Sequence, residues 1–170
     1  MTRAQFEAIY LQAANDAVKG TRIFPRVVLS AAALESGFGK DSLSTGANNF
    51  FGIKAGKSWK GATVSAPTTE YINGKKIHTI AKFRKYPGAV NSFRDYVNLL
   101  HTGKRFKAAK VEDAPNELDQ FKRIQKAGYA TDPNYSDKLA AIYKGHKVAV
   151  LSGAGILLAS AIGFTIYKLA

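Results

Sequence analysis

The chain contains no cysteine, which rules out disulfides and thiolate metal sites. Its three histidines, His78, His101 and His146, are widely spread and show no ligand spacing, so neither a metal nor a cofactor is expected. Acidic residues are scarce: 12 Asp and Glu stand against 25 Lys and Arg, a formal net charge of +13. All 12 acids precede Tyr143, and residues 1–143 hold 22 of the basic residues, so this part alone carries +10. Such a surface seeks polyanions: nucleic acid, anionic lipid headgroups, or a bacterial wall with its acidic polymers. No nucleic-acid recognition motif is present, and no specific nucleic-acid partner is expected. The N-terminus also lacks the apolar run of a secretory leader, so no signal peptide is expected. At 170 residues there is room for one domain with a real core and an appendage.

The pattern of what is present is mainly helical. Thr2 and Gln5 suit a capping box, followed by Phe6, Ile9, Tyr10, Ala13 and Ala17 on one face of a first helix. Phe24-Pro25 opens a second helix through Val27, Val28, Ala31 and Leu34, ending at Gly37. Residues 38–58, rich in Gly, Ser and Asn, read as an ordered loop. The period then changes: Thr69 to Ile72, Asn73-Gly74, and Ile77 to Phe83 form a hairpin signal, because Asn-Gly favours a two-residue primed turn. Ala89, Val90, Phe93, Val97 and Leu100 restore the helical stripe, and two more helices are expected near 115–127 and 133–144.

The last segment is of another kind. Residues 148–167 carry no charge over 20 positions. As a helix this run would extend about 30 Å, enough to cross a bilayer core. Lys144, His146 and Lys147 flank one end, Tyr167 and Lys168 the other. Residues 144–147 therefore read as a basic linker and 148–168 as a transmembrane helix. Gly155, Ala159 and Gly163 give it a small-residue face against which a partner helix could pack.

One carboxylate stands out. Glu35 lies at the end of an Ala-rich apolar helix, just before Gly37. Apolar surroundings and the negative end of the helix dipole both disfavour its charged form, so its pKa is expected to rise. A carboxylic acid kept protonated near neutral pH suits protonation of a leaving sugar oxygen.

Five segments together resemble glycoside hydrolase family 73, the peptidoglycan N-acetylglucosaminidase domain of autolysins, flagellar rod-cap hydrolases and phage endolysins. They are Ala33-Leu34-Glu35-Ser36-Gly37-Phe38-Gly39-Lys40, Asn48-Asn49-Phe50-Phe51-Gly52-Ile53-Lys54, Thr69-Glu70-Tyr71, Phe83-Arg84-Lys85-Tyr86, and the run from Ala127 through Tyr129 to Tyr135. The resemblance covers roughly residues 4–143, in order. It implies an α+β, mainly α, lysozyme-like helical body over residues 1–143 with a small β-hairpin lobe, to which the transmembrane helix is added.

By this resemblance Glu35 is the general acid. Glu70 matches a second glutamate on the lobe, either a base activating water or a carboxylate stabilising positive charge on the sugar; the alternative is a solvated glutamate beside Lys75 and Lys76. Tyr129 would line the site near the acid, orienting the 2-acetamido group or water, or else be a core aromatic. Asn49, Phe51 and Tyr71 would contact N-acetyl sugars. Trp59 is either a sugar platform or the hydrophobic plug of the lobe, and Asp41 is either a further carboxylate or a helix cap.

The implied reaction is hydrolysis of the β-1,4 bond after N-acetylglucosamine in peptidoglycan glycan strands. A membrane segment in place of wall-binding repeats suggests a phage lysis or virion-associated enzyme, held in a virion or bacterial membrane. The alternatives are a muramidase or lytic transglycosylase on the same fold, a non-catalytic virion membrane protein that binds glycan, and a basic nucleic-acid packaging protein.

Overall fold

The structure, a computed structural model, describes the backbone of residues 1–72 and 75–148 and the side chains of residues 1–69 and 77–145. Within them the chain forms α1 (Arg3–Ala17), α2 (Pro25–Glu35), α3 (Ser42–Ala47), β1 (Thr63–Ile72), β2 (Lys75–Arg84), α4 (Ala89–Thr102), α5 (Lys104–Ala108), α6 (Glu117–Lys126) and α7 (Tyr135–Val148), with one 3₁₀ turn at Val111–Asp113.

Helix α2 is the axis of the body. Its residues 27–33 are all buried, and α1, α4, α6 and α7 all pack on it. A helix apolar on every side belongs in a core, and its run Ala31-Ala32-Ala33 lets neighbours approach closely. Pro25 sits at the first turn, where its missing N–H costs no hydrogen bond. The preceding Phe24 N–H donates to Gln120 Oε1 at 2.9 Å, and Gln120 Nε2 donates to the carbonyls of Arg22 and Val111. This buried amide thereby ties α6 to the start of α2.

Helix α1 begins at the expected capping box: Gln5 N–H donates to Thr2 Oγ1, and the Thr2 N–H to Gln5 Oε1. Phe6, Ala14 and Ala17 are buried, but Ile9, placed on the same face from its spacing, is 56% exposed. It sits at the edge of the stripe, where a rotation of 100° per residue carries it away from Phe6 and Tyr10. Aromatic rings fill the space between α1 and α4. Phe50 lies edge-on to Tyr10 and to Phe93, and Phe51 stacks flat on Tyr96 with ring centroids 4.1 Å apart.

The region read as a loop, 38–58, contains a helix. Asp41 Oδ1 accepts from the Ser44 N–H and caps α3, while Asn48 closes it in the left-handed conformation with φ 51°. Six residues containing Ser, Thr and Gly give too weak a periodic signal to reveal a helix. The same brevity hid α5 and the 3₁₀ turn between α4 and α6. Asp41, weighed as a further carboxylate, is thus the helix cap of its two readings.

The hairpin pairs antiparallel from Thr63↔Arg84 to Ile72↔Lys75. It is longer at its base than its sequence signal, and residues 53–55 join it there through Arg84 N–H to Ile53 O and Ala55 N–H to Lys82 O. Its base is fastened to α4. Arg84 Nη1 donates to both carboxylate oxygens of Asp95, at 2.9 and 2.7 Å, and the Tyr86 hydroxyl donates to the same carboxylate. The Arg84 guanidinium also lies 4.7 Å from the centre of the Trp59 ring.

Among the described residues no helix is long and apolar enough to cross a membrane. The segment expected to do so begins at Val148, where the description ends, and its remaining residues lie outside the described residues, as do Gly155, Ala159 and Gly163. Helix α7 continues through 144–147, so the stretch read as a linker is continuous with the last helix of the body.

Candidate active site

Glu35 is the last residue of α2, and the backbone after it is tightly specified. Ser36, fully buried, donates from Oγ to the Ala32 carbonyl and accepts from the Gly39 N–H. Residues 37, 38 and 39 all have positive φ, of 56°, 60° and 71°. Glycine adopts that region without steric cost, which explains its presence on both sides of Phe38. The Phe38 N–H returns to the Ala33 carbonyl at 2.8 Å, and those of Lys40 and Asp41 to Ser36. This knot fixes the Glu35 backbone while its side chain stays half-buried.

Three tyrosines lie beneath the carboxylate: Tyr96 from α4, Tyr129 from the loop after α6, and Tyr135 from the first turn of α7. All are fully buried. The Tyr135 hydroxyl donates to Glu35 Oε1 at 3.0 Å. Tyr129 packs edge-on against Tyr96, with centroids 5.4 Å apart, and tilted against Tyr135 at 5.6 Å. Among the described residues neither the Tyr96 nor the Tyr129 hydroxyl has an aligned hydrogen-bond partner, although Tyr96 faces the Tyr135 hydroxyl.

Burial raises the pKa of all three phenols, and the Glu35 charge raises them further. The sign of the stability effect follows. In the unfolded chain these phenols ionise near pH 10, whereas in the folded state they stay protonated, so stability is lost as pH rises past 10. Three such groups remove roughly 4 kcal/mol per pH unit. We expect thermal unfolding followed by circular dichroism to show little change from pH 7 to 9 and a steep fall in Tm above 10. A flat Tm to pH 11 would contradict the burial of the cluster.

The other residues singled out from sequence are placed as follows. Tyr129 adjoins Glu35 but has no exposed surface, so it meets the acid from below and not a sugar. Asn49 and Phe51, expected to contact sugar, are also fully buried. Asn49 Nδ2 donates to the carbonyls of Ile53 and Arg84, and its Oδ1 accepts from the Ile53 N–H, so its amide is engaged within the protein. Phe51 is committed to its stack on Tyr96. Trp59 is half-buried, with Nε1 donating to Ala62 O and the ring packed on Arg84 and Tyr86. Glu70 and Tyr71 occupy β1 opposite Ile77 and Lys76; their side chains lie outside the described residues.

Sequence reasoning did not single out Tyr96 or Tyr135 for the site. Tyr96 follows Phe93 by three positions on the buried face of α4, and Tyr135 precedes Leu139 by four on α7. At those spacings an aromatic reads as core.

Known proteins resemble the chain in sequence and in fold. The family model described as glucosaminidase, mannosyl-glycoprotein endo-beta-N-acetylglucosaminidase, matches residues 11–148. The chain is 39% identical over 142 residues to peptidoglycan hydrolase FlgJ of Pseudomonas aeruginosa, covering 81% of this chain and 35% of that protein. It is 37% identical over 123 residues to exo-glucosaminidase LytG of Bacillus subtilis, covering 71% and 43%. It therefore spans between a third and a half of the length of these curated relatives. The solved structure of a C-terminally truncated glycoside hydrolase domain of Salmonella typhimurium FlgJ superimposes with a TM-score of 0.72 at 36% identity, covering 86% of this chain and 99% of that one. With its mainly helical body, two-stranded hairpin and matched motifs, the chain belongs to the glucosaminidase family, glycoside hydrolase family 73.

Proposed function

We propose that this protein is a peptidoglycan hydrolase that cleaves the β-1,4 bond following N-acetylglucosamine, with Glu35 as general acid. The observation that carries this reading is the placement of Glu35. It is a half-buried carboxyl at a helix C-terminus that accepts a hydrogen bond from Tyr135 over a floor of buried aromatic rings. Low polarity and the helix dipole favour its protonated form, ready to give a proton to the leaving oxygen. Positive charge developing at the anomeric carbon is met by Glu70 or by the acetamido oxygen of the substrate. Tyr129 supports the acid from beneath. The matched names, a peptidoglycan hydrolase and an exo-glucosaminidase, support this substrate class.

The +10 charge of residues 1–143 holds the enzyme on an anionic wall, an attraction that salt weakens. The uncharged run 148–167 between basic flanks supports a bilayer anchor, in keeping with a phage lysis or virion-associated hydrolase whose Gly155, Ala159 and Gly163 face meets a neighbouring helix.

The decisive experiment incubates the full-length protein, in detergent, with purified peptidoglycan and identifies reduced soluble fragments by mass spectrometry. Fragments ending in reducing N-acetylglucosamine are expected. Muramic acid ends, reducing or 1,6-anhydro, would move the cut to the other glycosidic bond. No release from several wall types would overturn the hydrolase reading.

A further inference from the structure

We propose that the base and outward face of the hairpin form a wall-contact surface apart from the acid, on which Lys57, Lys60, Lys82 and Lys85 engage the carboxylates of the short peptides carried by peptidoglycan. The inference rests on peptidoglycan being the substrate. The positive charge of residues 1–143 is concentrated in the lobe. Residues 48–88 hold eight lysines and arginines against one acid, Glu70, a net +7. The rest of 1–143 holds 14 basic and 11 acidic residues, a net +3. Backbone hydrogen bonds gather four of the lobe's lysines at the hairpin base. The Lys82 carbonyl accepts from the Ala55 N–H, the Lys85 N–H donates to the Ala62 carbonyl, and Lys57 and Lys60 lie between Ala55 and Ala62. All four lysines are exposed. The acids that flank the lobe are engaged elsewhere: Asp95 accepts from Arg84 and Tyr86, and Asp41 caps α3. Among the described residues none of the four lysines has a carboxylate partner.

The strand register gives this sheet two unlike faces. Ala66 and Phe83 share one face and are buried. Ser65, Pro67, His78, Ile80 and Lys82 share the other and are exposed, Ile80 to 72%. Lys82 therefore stands beside aliphatic surface from Ile80 and from Pro67 on the paired strand. That mixture selects the ligand. A phosphate polymer offers charge alone, whereas the peptides of peptidoglycan place free carboxylates next to alanine methyl groups and match both properties. A single exposed ion pair contributes little. Several lysines meeting carboxylates that recur throughout the wall gain by number, because each contact made raises the local concentration for the next.

The test is co-sedimentation of the full-length protein, in detergent, with insoluble peptidoglycan freed of phosphate polymers. Every protein carries Glu35→Gln, so that the wall is not consumed. Replacing Lys57, Lys60, Lys82 and Lys85 together by Gln is expected to raise Kd roughly tenfold and to flatten its salt dependence. A charge-matched control, with the exposed Lys104, Lys107, Lys110 and Lys122 replaced by Gln, is expected to stay within about twofold. Converting the wall carboxylates to neutral amides with carbodiimide and ammonia is expected to weaken the protein with its lysines intact to the level of the lobe variant. Equal losses in the two lysine variants would reduce the effect to net charge and overturn the lobe surface. Binding that amidation leaves intact, or a loss confined to walls that keep their phosphate polymers, would overturn the peptide carboxylates as ligand. Amidation alters the wall alone, so it decides even if the lobe variant fails to fold. Fragment release by wild type separates the two readings: release with lobe-independent binding overturns this surface alone, and the expected binding without release overturns the hydrolase alone.

Discussion

Replacing Glu35 by Gln is expected to lower peptidoglycan hydrolysis about 10³-fold while leaving the fold and its Tm nearly unchanged. The size follows from the usual contribution of a positioned general acid, on the order of 10²–10⁴. Retention of the fold follows from the structure. The amide carbonyl of Gln can still accept the Tyr135 hydroxyl, so the first turn of α7 keeps its link to α2. The substitution also removes a negative charge from above three buried phenols whose ionisation it opposes. Initial rates of wall solubilisation, paired with thermal melts, measure both quantities. Activity above a tenth of wild type would mean that Glu35 does not supply the proton. Inactivity with a collapsed Tm would show only that the site had unfolded.

The second large effect lies in stability. Asn49→Ala is expected to destabilise the protein by about 2–4 kcal/mol, because it deletes the three hydrogen bonds of a fully buried side chain and leaves a void. For a domain of this size that lowers Tm by roughly 10 °C. The groups left behind are the N–H and carbonyl of Ile53 and the carbonyl of Arg84, at the junction between the body and the hairpin. Asn49→Asp is expected to fare no better, since a carboxylate cannot donate to two carbonyls and would be a buried charge. Assayed well below the melting temperature, the folded fraction of Asn49→Ala should retain substrate affinity. An unchanged Tm with a raised KM would instead return Asn49 to direct sugar contact.

These two residues show why one part of the site was legible in the sequence and another was not. Glu35 could be recognised because its signal is local. An apolar helix, its last residue, and a glycine two positions later specify low polarity and a dipole end without reference to any distant residue. Asn49 offered no such signal. An amide beside Phe50, Phe51 and Gly52 has one spelling whether it faces a sugar or braces a turn. Its direction is set by Asn48, whose left-handed backbone closes α3, and by carbonyls at Ile53 and Arg84. Trp59 is ambiguous in sequence for the same reason, and the structure packs its ring on Arg84.

By itself the sequence determined the capping box of α1, the apolar axis helix and its termination at Glu35. It also determined the antiparallel hairpin on either side of Asn73-Gly74, the amphipathic stripe of α4, and the family to which the chain belongs. These rest on periodicity, on caps, and on motifs whose order survives without coordinates, since each depends on residues a few positions apart. Only the tertiary structure decided what lies under the acid. Tyr96, Tyr129 and Tyr135 converge on Glu35 from α4, a loop and α7, as many as 100 positions from it in sequence. No local pattern records that convergence. A buried tyrosine whose hydroxyl holds a carboxylate and one that merely fills space have the same spacing on their helices, and only the packing of α7 against α2 separates them.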